Sequence, residues 1–143
     1  MTEDQNLSPH FSLHELVASQ TATRKGIIEQ FDPGATIIDN LRFLCNELLE
    51  KLRVLNGNHP IFINSGYRCP RLNSAVGGSK TSQHVLGQAA DIDFGNKADN
   101  KVFFEKVKNS DLVFDQLINE FNYSWVHVSI KREANRKQVL NIT

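Results

Sequence analysis

The chain has 143 residues, 40% of them hydrophobic, with 16 basic and 16 acidic side chains and a formal net charge of zero. That length and apolar fraction suit one compact domain that buries a core without staples, and the balanced charge excludes general attraction to nucleic acid or anionic membranes. No apolar stretch is long enough to span a bilayer, and the first six residues lack the basic start and apolar core of a signal peptide.

The first ten residues are polar and predict a flexible N-terminus over 1–10, with a single domain over 11–143. Ser12-Leu-His-Glu15 is a capping box, which predicts a short helix burying Leu13, Leu16 and Val17. His10 and His14 have no partner at ligand spacing and read as surface or helix-face histidines. Thr21 to Asp32 reads as a connection that ends in the turn Asp32-Pro-Gly34. From Ala35 to Leu55, Ile38, Leu41, Cys45, Leu48 and Leu52 follow helical spacing, and Ile37, Leu44, Leu49 and Leu55 widen the stripe. The spacing predicts the longest helix and the main packing element behind a sheet, ended by Asn56-Gly57.

Cys45 falls in that stripe as a small core residue. Cys69 follows in a loop, and whether the two are bridged stays open. Pro60-Ile-Phe-Ile-Asn64 predicts a strand that delivers Ser65-Gly-Tyr-Arg68. Cys69 to Ala75 reads as a helical turn, and Gly77-Gly78-Ser79-Lys80 as a flexible lead-in that matches neither nucleotide fingerprint.

The stretch from Ser82 to Asp91 places an imidazole, His84, and a carboxylate, Asp91, on either side of Gly87. Asp91 lies in the apolar run Ala89 to Phe94, a strand in which Ala89, Asp91 and Asp93 share one face and Ala90, Ile92 and Phe94 the other. Asp99 to Asn109 predicts an amphipathic helix with Val102, Phe103, Phe104 and Val107 on one side. Phe114 to Phe121 and Ser124 to Lys131 predict an antiparallel hairpin. In its second strand Trp125, His127 and Ser129 oppose Val126, Val128 and Ile130. The mixed-charge segment Lys131 to Lys137 reads as a solvated end.

The whole predicts an α+β domain, a small mainly antiparallel sheet with helices packed on one face. Two histidines and an aspartate on the exposed face are the donor set of a hydrolytic zinc site, three protein ligands with an open fourth position.

Ser82-x-His84-x-x-Gly87-x-Ala89-x-Asp91 followed by Trp125-x-His127 resembles the zinc D-Ala-D-Ala peptidase family. That family includes D,D-carboxypeptidases, D-Ala-D-Ala dipeptidases and phage L-alanyl-D-glutamate endolysins, and it shares a fold with the hedgehog signalling domain. Phe11-Ser-Leu-His-Glu-Leu16, Ser65-Gly-Tyr-Arg68 and Leu72-Asn-Ser-Ala-Val-Gly-Gly78 extend the resemblance over nearly the whole chain. It implies a hedgehog/DD-peptidase-like zinc peptidase domain with one Zn2+ held by His84, Asp91 and His127. Arg68 would hold a substrate carboxylate or carbonyl, and Ser82 and Tyr67 would line the same pocket.

Many members carry the general-base carboxylate three residues before the last histidine, where this chain has Ser124, which cannot serve. Glu120, at the end of the preceding strand, is then the candidate base, with Asp93 in reserve. Trp125 shares parity with His127 and reads as a wall of the substrate cleft, with packing at the core edge as the alternative.

The implied function is a zinc-dependent peptidase, of D,D-carboxypeptidase or L,D-endopeptidase type, that acts as a monomer on peptidoglycan stem peptides or cross-links. The alternative is a non-catalytic zinc-containing module that binds cell wall or protein, for example within a phage particle. Without a signal peptide, reaching a cell wall would require delivery, as by a phage lysis or tail apparatus.

Overall fold

A computed structural model describes residues 3–143 of the chain. Its centre is a five-stranded mixed sheet in the order β3-β4-β6-β5-β7. The strands are β3 (Ile63–Ser65), β4 (Ala89–Ile92), β5 (Gln116–Glu120), β6 (Trp125–Ser129) and β7 (Gln138–Ile142). Neighbours from β3 through β5 pair antiparallel, whereas β7 runs parallel to β5.

Strand parity divides the sheet into a packed face and a polar face. Ala90, Ile92, Leu117, Val126 and Val128 enter the hydrophobic core. Asp91 sits opposite His127 in the β4–β6 register, and Ile118 sits opposite the same histidine from β5. Gln116 and Glu120 share the parity of Ile118 on β5, so one face gathers polar side chains from three strands.

The helical rod over 35–55 packs behind the sheet. It comprises α3 (Ala35–Leu44), a π-helical turn (Cys45–Leu49) and α4 (Glu50–Leu55). Leu41, Leu44, Cys45, Leu48, Leu49 and Leu52 are fully buried, while Ile37, Ile38 and Leu55 flank the core. Asn56 caps the rod and Gly57 follows with φ 70°. The later helix α6 (Lys97–Lys108) buries Asn100, Phe103, Phe104 and Val107. Its stripe is therefore offset from the one expected, since Val102 is 54% exposed.

Other segments also depart from the sequence reading. Residues 1 and 2 of the expected flexible N-terminus lie outside the described residues. Asn6–Ser8 forms a strand, β1, antiparallel to β2 (Phe11–Ser12), because the apolar Leu7 is buried in the core. The helix α1 (Leu13–Val17) follows, with the Ser12 hydroxyl accepting the Glu15 N–H. The expected connection holds a further helix, α2 (Gln20–Lys25), capped by Ser19 and closed by Gly26, and then a 3-10 turn, Ile28–Phe31. The chain end does not stop at a solvated segment but returns as β7. Cys45 and Cys69 are both buried and free. No helix among the described residues is long and apolar enough to cross a membrane.

Candidate metal centre and substrate cleft

The polar face carries a cluster of His84, Asp91 and His127, each offering one ligand atom, all within 4.8 Å of one another. All three side chains are buried. Asp91 and His127 come from adjacent strands, β4 and β6. His84 comes from the loop before β4, which turns at Gly87 with φ 72°. A Cβ at Gly87 would press on the Ile37 carbonyl at 3.2 Å, so this position suits glycine in both space and conformation.

The backbone around the cluster sets its chemistry. His84 Nδ1 lies 2.7 Å from the Gly66 carbonyl, which can only accept, so Nδ1 carries the proton. In the neutral ring that leaves the Nε2 lone pair pointing at Asp91 Oδ1, 3.2 Å away. His127 Nδ1 reaches the same oxygen at 3.1 Å, and His127 Nε2 is buried without a partner among the described residues.

A lone pair facing a carboxylate at that distance repels unless a cation or an added proton intervenes. Burial pushes the Asp91 carboxyl up. With both rings protonated, the charge of His84, hydrogen bonds from both rings and the charge of His127 outweigh burial and hold it well below the usual carboxylate range. Positive charge between these donors, from protonated rings or a bound cation, therefore stabilises the ionised carboxylate. Two nitrogens and an oxygen converging in this way fit Zn2+, and the carbonyl behind His84 is the outer contact that fixes a metal-binding tautomer.

Gly66 is itself pinned. A Cβ there would lie 2.4 Å from the Leu16 carbonyl, and the next N–H, of Tyr67, donates to that carbonyl at 2.8 Å. Beyond it, the buried Gln30 side chain donates to the carbonyls of Val17 and Tyr67 and accepts from the Cys69 N–H, each at 2.8 Å. Gln30 thus clamps the segment on either side of Arg68, a role that the sequence reading of 21–32 as a mere connection missed. Arg68 N–H donates to the His84 carbonyl at 3.0 Å, which ties this segment to the ligand loop.

A cleft of about 710 Å³ opens over the cluster. Arg68, Ser82, Glu120 and Trp125 line it together with His84, Asp91 and His127. Arg68 donates to Ser82 Oγ at 3.4 Å, and its Nε is buried without a partner among the described residues. Burial lowers the pKa of this guanidinium, while the charges of Asp91 and Glu120 oppose the shift. Ser82 Oγ also accepts the His84 N–H at 3.2 Å. Tyr67 lies instead on an adjoining cleft of about 510 Å³ that shares Arg68, Val76 and Asp91 with the first.

The two candidate bases occupy different places. Glu120 faces the cleft opposite Trp125 in the strand register, and its Oε2 accepts the indole N–H at 2.6 Å. Asp93 lies past the end of β4, where its Oδ1 accepts from Gly95 N–H at 2.8 Å and Asn100 Nδ2 at 3.0 Å. It is absent from the cleft lining. Ser124 closes the β5–β6 turn, its hydroxyl donating to the Phe121 carbonyl at 2.7 Å. Three successive residues of that turn, Phe121, Asn122 and Tyr123, have positive φ.

Residues 9–129 match the family Peptidase M15. The chain belongs to that family. A zinc D-Ala-D-Ala carboxypeptidase of Streptomyces albus G is 41% identical over 49 residues, a stretch covering 34% of this chain and 19% of that relative. The match to this curated relative thus spans about a fifth of its length. Family membership and the His-Asp-His cluster together support zinc metallopeptidase chemistry for this M15 chain.

Proposed function

We propose that this M15 chain is a zinc-dependent peptidase that hydrolyses peptide bonds in peptidoglycan stem peptides or cross-links. It would act as a monomeric single domain that includes β1, with one ion at His84, Asp91 and His127. The observation that carries the reading is the convergence of a three-donor cluster, a half-buried arginine and a glutamate in one cleft.

Zinc, when bound, supplies a Lewis acid that polarises a carbonyl and activates water. The remaining work falls to the protein's own side chains. Arg68, with unsatisfied donors at the cleft wall, holds a substrate carboxylate or carbonyl, for which the planar guanidinium is well shaped. Glu120 takes the proton from the attacking water and returns it to the departing amine. Its Oε2 is engaged by Trp125, so the proton passes through Oε1, and the indole fixes the carboxylate's orientation. Ser82 braces both Arg68 and the His84 backbone.

The second reading, a zinc-containing binding module, is favoured by Ser124 standing where many relatives of the resemblance carry their base. Incubating a synthetic stem pentapeptide with the zinc-loaded chain and with its Glu120→Gln variant separates the two. The peptidase reading expects release of a shorter peptide by the native chain alone. Tight binding of the intact peptide by both proteins, with no product, would establish the module.

A further inference from the structure

Seventeen side chains and backbone segments line the main cleft, and one of them, Arg136, lies outside the residues that match the family. It stands on the loop between β6 and β7, a loop built to hold it. Asn135 closes that loop by accepting from Lys131 N–H and donating to the Lys131 carbonyl, both at 2.7 Å. Lys137 N–H donates to the Phe114 carbonyl at 3.0 Å, and Gln138 N–H to the Asp115 carbonyl at 2.9 Å. Asp115, whose side chain is fully buried, accepts from the Arg136 N–H and Nε at 3.0 Å and from Nη2 at 2.7 Å.

Those bonds leave Nη1 of Arg136 without a partner among the described residues, on a side chain that is 51% exposed. Lys131 Nζ lies 3.6 Å from the same Asp115 carboxylate and offsets its charge, so the charge of Arg136 is not cancelled by its partner. Arg68 differs, with the charges of Asp91 and Glu120 both acting on it. The cleft therefore holds two guanidinium groups, and the one at Arg136 is fixed in place by Asp115.

We propose that Arg136 is a second carboxylate-binding group of this cleft, selecting peptides that carry an internal acidic group besides the terminal carboxylate held at Arg68. This deepens the peptidase reading by naming a specificity determinant. A fixed guanidinium loses little freedom on binding and offers charge-assisted donors. Arg136 acts on substrate affinity and has no part in proton transfer.

The test uses two stem pentapeptides that share a free C-terminal carboxylate. One has free carboxylates on its D-glutamyl and diaminopimelyl residues, and the other has both amidated. Calorimetry of the zinc-loaded chain, in a Glu120→Gln background to limit turnover, should show the acidic peptide bound about tenfold or more tighter. In Arg136→Gln the two peptides should bind within about twofold of each other, with the amidated one unchanged. Because Arg136→Gln leaves the buried Asp115 without its main partner, Asp115→Asn/Arg136→Gln supplies a second variant with a neutral interior.

Retention of the preference in a folded double variant would overturn the proposal, as would equal binding of the two peptides by the parent. Rates with native Glu120 distinguish this failure from the broader one. An absence of cleavage alongside a preference that depends on Arg136 would sink the peptidase reading and leave Arg136 standing.

Discussion

Two buried aspartates in this fold, Asp91 and Asp115, have opposite kinds of partner. Asp115 is answered by Arg136 through two side-chain bonds and a backbone N–H, with Lys131 nearby. Asp91 is answered by two imidazoles through one oxygen, and one of those rings has its proton committed to the Gly66 carbonyl. The first carboxylate is satisfied by the chain itself. The second has at most one donor while the rings are neutral, the His127 Nδ1–H, and gains a full partner when positive charge arrives between the donors. That contrast separates a structural ion pair from a metal-binding site, and it can be tested directly.

The largest effect is expected at Asp91. Asp91→Asn should abolish tight zinc binding and peptide cleavage, whereas Asp115→Asn should keep tight zinc binding. In thermal melts, zinc at about a thousandfold over its Kd should stabilise the parent and Asp115→Asn by about 4 kcal/mol and leave Asp91→Asn unmoved. Equal responses from all three proteins would erase the distinction. Next in size, Glu120→Gln should keep stoichiometric zinc and lose about 10²–10⁴ in turnover, read by peptide hydrolysis alongside metal analysis. Full activity in that variant would remove Glu120 from the role.

A smaller effect is expected from Gly66→Ala. The added methyl would strike the Leu16 carbonyl and displace the acceptor of His84 Nδ1, weakening zinc by about ten- to hundredfold in a competition assay. Unchanged affinity would show that the carbonyl does not orient the ring.

The smallest concerns acid stability. The hydrogen bond from Arg136 lowers the Asp115 carboxyl from 3.8 to about 2; burial opposes this, while the Arg136 N–H and the charges of Arg136 and Lys131 assist. Its contribution is fully present above pH about 4 and is lost as the pH falls toward 2. Asp115→Asn should therefore flatten the acid limb of a denaturation series between those values.

The two regions also differ in how legible they were in the sequence. His84, Asp91 and His127 could be placed together because alternation along two strands put Asp91 and His127 on one face, and His84 stands seven residues before Asp91. The fold needed only local periodicity for the rod over 35–55 and the β5–β6 hairpin. Arg136 stayed hidden because the run of mixed charges from Lys131 to Lys137 looks like a solvated end, and the predicted elements stopped short of β7. The purpose of Arg136 depends on Asp115, 21 residues earlier, being buried. Gln30 was missed for the same reason, since its partners Val17, Tyr67 and Cys69 lie 13, 37 and 39 positions away. Leu7 alone among polar neighbours was too weak a signal for β1. Periodicity reveals which face is buried, whereas single long-range polar bonds leave no pattern along the chain.

The most direct test of the zinc peptidase account is mass spectrometry of purified peptidoglycan incubated with the chain, with chelator, and with chelator followed by zinc. The account predicts new peptide fragments that vanish with chelator and return with zinc, their masses naming the bond. Intact material from several wall types, treated with protein shown to carry zinc, would contradict it.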